Sequence, residues 1–211
     1  GPVALLQPPG VPITPRRCGN DLPSRVADNL FWLGRHVERA EGSARLMRSS
    51  LIRLISESGP SQVGQLTVLF RAMDQAAGID NEQPAAAIEP QEVEARIMSH
   101  LYDPQQPGSL HSMLDSLERV ATAVRDRISL DTWRILQRID DDFYPSNPPS
   151  LVSLGDVVAM LNQMILNFSA FSGVAMENMT RGPGWQFLEL GPRIERAVGA
   201  VSYTHLTLPT T

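Results

Sequence analysis

Nine apolar side chains constrain this chain more than any other feature. Val26, Leu30, Leu33, Val37, Ala40, Ala44, Met47, Leu51 and Leu54 follow one another at spacings of 4, 3, 4, 3, 4, 3, 4 and 3 residues. A strand alternates its faces with period two and cannot put all nine on one side, whereas a helix does so in a single seam. The spacing predicts a helix of about four heptads, packed nearly parallel to its neighbours. Pro23 marks its entry, and Gly59-Pro60 follows its exit.

The rest of the chain reads the same way. Helices are predicted from about Ser61 to Ala77, from Pro90 to about Tyr102, and from Ser109 to Ile128. Ser129 and Asp131 are candidate caps for a helix carrying Trp133, Ile135, Leu136 and Ile139. A long apolar helix is predicted from Ser150 to about Met179 and a last one from about Gly184 to Val201, after the turn Arg181-Gly182-Pro183. Loops are expected over Gly78–Pro90 and Asp140–Pro149. No segment alternates with period two, so the expected fold is all-α, a bundle of long helices.

The flanks differ. Residues 1–21 hold Pro2, Pro8, Pro9, Pro12 and Pro15 and read as a semi-rigid linker or a disordered tail. Residues 202–211, SYTHLTLPTT, have no charged side chain and are expected to be a poorly packed, non-native tail. Gly1 stands where a methionine would begin a protein, so the expectation is a piece of a longer one. The domain proper is placed at residues 22–201.

Residue types exclude several chemistries. All 18 basic residues are arginine, which removes Schiff-base lysine, a P-loop and a lysine general base. Cys18, the one cysteine, excludes an intramolecular disulfide and a multi-cysteine zinc site, and reads as a bystander in the linker. With 23 acidic residues and a net charge of −5, the chain is a poor nucleic-acid binder. No run of about 18 uninterrupted apolar residues occurs, so no membrane span is expected.

An internal repeat carries the candidate site. Leu33-Gly34-Arg35-His36-Val37-Glu38-Arg39-Ala40-Glu41-Gly42 aligns with Leu190-Gly191-Pro192-Arg193-Ile194-Glu195-Arg196-Ala197-Val198-Gly199 at an offset of 157, with six of ten positions identical. The repeat implies a duplicated helical unit or two equivalent helices meeting across a pseudo-two-fold. Arg35 shares a helix face with Glu38 and Arg39, and Glu41 with Arg45, making a charged ridge beside the seam. Gly34 and Gly42 leave room for another helix to approach. The ridge is either an ordinary solvated face or an interhelical arginine–carboxylate network.

Catalysis would need Glu38 and Glu195 as paired carboxylates with His36 as acid or base. Positions 36 and 38 lie about 200° apart around a helix, so His36 and Glu38 cannot serve one spot, and His36 reads as exposed or interfacial. A dimetal bundle needs Glu-x-x-His, which occurs nowhere here, and His100 and His111 lack ligand spacing, so no metal and no cofactor are expected. The segment Phe171–Trp185 is dense in unusual residue types. Gly173 and the glycines beside Pro183 suit close packing and a sharp turn, and Glu177, Arg181 and Trp185 are spaced to converge near it. Its methionines read as core filler.

These motifs resemble a known family. Leu22 to Glu41 closely resembles the opening signature of the bacterial alpha-E domain family. Gly173 to Ala197 resembles its later signature, and Ser109 to Trp133, with Arg125-Asp126-Arg127-Ile128-Ser129, its intervening helix. His36 stands where the family usually has tyrosine, and Pro192 where it usually has arginine. A proline inside a helix costs about 3 kcal/mol, which puts the second half of the network in question. The resemblance covers roughly residues 22–201 and implies a copy shorter than the family domain.

Members of that family are all-helical and lack an established activity. They occur beside, or fused behind, circularly permuted ATP-grasp ligases, with transglutaminase-like protease genes nearby. Arg16-Arg17-Cys18-Gly19-Asn20-Asp21 looks like the junction of such a fusion. The resemblance therefore implies an accessory domain of a cytoplasmic, ATP-grasp-linked system that makes or modifies peptides, with the ligase and a peptide substrate as partners. The alternative is an enzyme in its own right, acting on peptides through Glu38, Glu177, Glu195 and neighbouring arginines. The candidate charged network is Arg35, Glu38, Arg39, Glu41, Glu177, Arg181, Arg193, Glu195 and Arg196.

Overall fold

A computed structural model describes residues 22–56, 90–144 and 153–207. Among these there are six helices and no strand: α1 (Ser24–Ser56), α2 (Pro90–Tyr102), α3 (Leu110–Ala123), α4 (Leu130–Phe143), α5 (Leu154–Asn178) and α6 (Pro183–Thr207). The fold is all-α. The linker with Cys18, the helix expected over Ser61–Ala77 and the loop expected up to Pro90 lie outside the described residues, as do residues 145–152 and 208–211.

The seam builds α1 as expected. Leu30, Leu33, Val37, Ala40, Ala44, Met47 and Leu51 are buried, while Val26 and Leu54 pack on the core from its edge. α1 is the centre of the bundle, with α3, α5 and α6 packed against it. Arg48 of α1 bonds Asn162 of α5, while Val37 and Phe171 line one cleft, so α1 and α5 run antiparallel. α4 and α5 are antiparallel as well, tied by Asn178 to Ser129 at one end and Asn167 to Asp142 at the other.

Serine caps mark three of the six helix starts. The hydroxyls of Ser109 and Ser129 accept from the backbone N–H groups of Ser112 and Thr132, each at 3.1 Å. Ser153 caps α5 in a capping box with Asp156, so that helix begins at Leu154 rather than Ser150. Three other boundaries differ from expectation. α3 stops at Ala123, where buried Val124 closes a turn unmarked by glycine or proline. α4 continues to Phe143, which is fully buried and stacks 5.3 Å from Tyr102. α6 runs six residues past Val201, to Thr207.

α5 is long and apolar enough to cross a membrane, by length and composition. Its inner face, however, is committed to the core: Val157, Leu161, Met164, Ile165, Phe168, Phe171 and Ala175 are buried.

Candidate functional site

The two halves of the sequence repeat meet. α1 and α6 lie parallel, and the offset of 157 that maps Gly34 onto Gly191 also maps Glu38-Arg39 onto Glu195-Arg196. The contact begins at the glycines. A Cβ on Gly34 would collide with the Leu188 carbonyl and lie 2.8 Å from Pro192 Cδ, and one on Gly191 would collide with the Phe31 carbonyl and lie 2.7 Å from Arg35 N. Leu188 and Phe31 are themselves equivalent under the offset. The approach is thus symmetric, as two equivalent helices across a pseudo-two-fold require.

One turn on, each helix grips the other. Arg39 donates from Nε to Glu195 Oε1 at 2.7 Å and from Nη2 to Oε2 at 3.1 Å. Arg196 donates in the same way to Glu38, from Nε to Oε1 at 2.7 Å and from Nη2 to Oε2 at 2.8 Å. These are paired two-point guanidinium–carboxylate contacts, which fix orientation as well as charge. The ridge is therefore an interhelical network, and its second half forms despite Pro192. Proline removes the N–H that would bond the Leu188 carbonyl, yet that carbonyl lies against Gly34, where the absent side chain lets α1 come close.

The symmetry breaks at one position. Arg35 bonds Glu195 Oε2 from Nε at 2.7 Å, and its guanidinium packs 5.1 Å from the Trp32 ring centre and 5.9 Å from that of Phe31. Its counterpart in α6 is Pro192, which carries no charge. Glu195 accordingly has two arginines and is 13% exposed, whereas Glu38 has Arg196 alone among the described residues and is 21% exposed. Burial pushes the Glu195 carboxyl up, but the bonds and charges of Arg39 and Arg35 outweigh it and hold the group below its ordinary range. The bond to Glu38 raises the Arg196 guanidinium further. Burial, then the charge of Arg39, lowers His36, which stands 5.7 Å from the Trp32 ring.

The other named residues do not join the clamp. Glu41 pairs with Arg45 and Arg193 with Glu189, each within its own helix at 2.5 Å. Arg181 lies over the Trp185 ring at 5.5 Å, and Glu177 is exposed near the end of α5. Arg35 bonds Glu195 rather than Glu38, its neighbour on the same face. Among the described residues nothing lies within 4 Å of a Cβ built on Gly42 or Gly173, so neither shows the close packing expected of it. Sequence reasoning missed Trp32 and Phe31 as supports for Arg35, although three- and four-residue spacings mark both as neighbours on the helix.

A cleft of about 190 Å³ opens beside Glu38, between α1, α5 and α6, with Phe171, Trp185, Leu188 and Pro192 in its walls. Neither Glu177 nor Glu195 lines it. A second cleft of about 230 Å³ lies between α3 and α4, where Glu118, Asp140 and Asp141 meet Trp133 and Leu117. Burial, followed by the charges of Glu118, Asp141 and Asp115, raises Asp140 above the ordinary carboxylate range. Among the described residues no group of three or more histidine, cysteine, aspartate or glutamate side chains is arranged to hold a metal.

The Alpha-E family, described as a predicted alpha-helical domain with a conserved ER motif, matches residues 22–210. The chain holds Glu-Arg at three places, 38–39, 118–119 and 195–196, of which the first and third form the clamp. An uncharacterized protein of Mycobacterium bovis is 33% identical over 199 residues, covering 88% of this chain and 22% of the relative. Uncharacterized proteins of two Mycobacterium tuberculosis strains match to the same extent. The chain thus spans about a fifth of the length of these curated relatives. No solved structure matches.

Proposed function

The chain belongs to the Alpha-E family, and on that premise we propose that it is an accessory helical module of an ATP-grasp ligase that makes or modifies peptides. The ligase would sit in the same chain or come from an adjacent gene, in the bacterial cytoplasm. One observation carries the reading: Glu38 and Glu195 are each held at both oxygens by an arginine of the opposite helix. Carboxylates engaged in this way hold helices in register, and Glu195, whose carboxyl Arg39 and Arg35 hold below its ordinary range, is a poor general base. The exposed Phe187 and Leu190 on α6 give the module an apolar surface for the ligase, and relatives that extend well beyond the matched part leave room for such a domain.

A peptide-processing enzyme working through Glu38, Glu177 and Glu195 has less support. Those three carboxylates do not share a cleft, and two of them are engaged by arginine. ATP turnover and peptide product measured on the intact ligase–module protein separate the two readings. With Arg35→Ala or Glu38→Ala, the accessory reading expects less product per ATP consumed. Unchanged coupling in both variants, with unchanged stability, overturns it.

A further inference from the structure

The clamp is built twice and filled once. On one side Glu195 accepts from Arg39 through both oxygens and from Arg35 through Oε2. On the other, Glu38 accepts from Arg196 through both oxygens, and Pro192 stands where the repeat would place a second guanidinium. A carboxylate offers about four lone-pair directions, and Arg196 uses two of those on Glu38. The cleft beside Glu38 opens at this place, with Pro192 in its wall.

The rest of the lining suits the missing group. The counterpart of Trp32, which packs on Arg35, is Glu189, so a carboxylate already paired with Arg193 stands in place of an aromatic face. Arg193 and Arg196 also line the cleft, ion-paired with Glu189 and Glu38, so the lining is balanced in charge and what it offers a guanidinium is the pair of lone-pair directions on Glu38 that Arg196 leaves unused. Phe171, Trp185, Leu188 and Pro192 give an apolar wall that matches the three-carbon stem of arginine and leaves its charged end at Glu38. The same molecule shows on Glu195 that two guanidinium groups fit one of these carboxylates.

We propose that this cleft receives the arginine side chain of a peptide, its guanidinium at Glu38 in the place that Arg35 takes at Glu195. The proposal is independent of the accessory-module reading, because it rests on the internal asymmetry alone. The apolar wall favours a side chain over a bare guanidinium ion, and the exposed rim leaves the peptide backbone outside.

The test is an NMR titration of the intact chain, following the Trp185 indole N–H and Arg196 Nε–H signals. The probes are acetyl-Ala-Ala-Arg-Ala-Ala-amide, its lysine counterpart and free arginine amide. We expect saturable shifts with the arginine peptide and binding about tenfold weaker for the lysine peptide, whose ammonium lacks the planar fork. Pro192→Ala should retain binding, since it removes the proline without filling the cleft. Pro192→Arg should abolish it, because the built-in guanidinium takes the place. Equal binding of the two peptides, equal binding by Pro192→Arg and Pro192→Ala, or no saturation overturns the proposal. Arginine amide binding as tightly as the peptide overturns the assignment to a peptide.

Discussion

Gly34 and Gly191 occupy equivalent places on α1 and α6, and a methyl group on either would strike the backbone of the opposite helix. Backbone cannot move aside as a side-chain tip does. Gly34→Ala and Gly191→Ala should each therefore cost on the order of 3 kcal/mol in a denaturation experiment. Gly42 and Gly173 also lie inside helices, but none of the described residues lies within 4 Å of a Cβ built on them. Alanine there should instead stabilise by about 0.5–1 kcal/mol through its higher helix propensity. Equal effects at all four sites would refute the close approach.

The two carboxylates of the clamp should differ in weight. Glu195 is 13% exposed and serves two arginines, so Glu195→Ala leaves both unpaired and should cost about 2 kcal/mol. Arg196 is 67% exposed, and Arg196→Ala should cost about 0.5 kcal/mol, falling further in high salt. A double-mutant cycle of Arg39 and Glu195 should show coupling of about 1 kcal/mol. Additive losses would mean that the pair is ornamental.

Stability should fall in acid in two stages. His36 has a lowered pKa in the fold, so the unfolded chain takes up its proton first, and stability is lost as pH falls below the ordinary value of 6.5. Glu195 is also lowered; its contribution is complete above the ordinary 4.5 and is lost as pH drops towards its folded pKa. His36→Phe should remove the first stage and leave the second. Midpoints measured across the acid range that keep both stages in this variant would contradict the assignment.

α5 has a committed face and a free one. Phe168 is fully buried, and Phe168→Ala should cost about 4 kcal/mol. Leu166 is 63% exposed on the same helix, so Leu166→Gln should change stability by less than about 0.5 kcal/mol. A large loss from Leu166→Gln would reveal a partner surface covering that face.

Much of the architecture was legible because it rests on local rules. The seam from Val26 to Leu54 specified α1, and Ser129 announced the start of α4 through its cap. Ends that depend on distant contacts were not legible. Nothing near Ala123 marks a stop, and Phe143 stays helical because it fills a site against Tyr102 from another element. The repeat disclosed that two helices correspond, and left open whether they touch.

By itself the sequence determined the helical class, the central seam, the absence of lysine chemistry and the pairing of two like segments across an offset of 157. Periodicity and residue type suffice for these, since each is a property of neighbours along the chain. Only the tertiary structure decided that Arg39 reaches Glu195, that Arg196 reaches Glu38, and that Pro192 leaves a cleft rather than a broken clamp. Those partners stand 156 and 158 residues apart, and an ion pair forms where packing brings charges together. The glycines let the helices approach, and that approach settled which charges could meet.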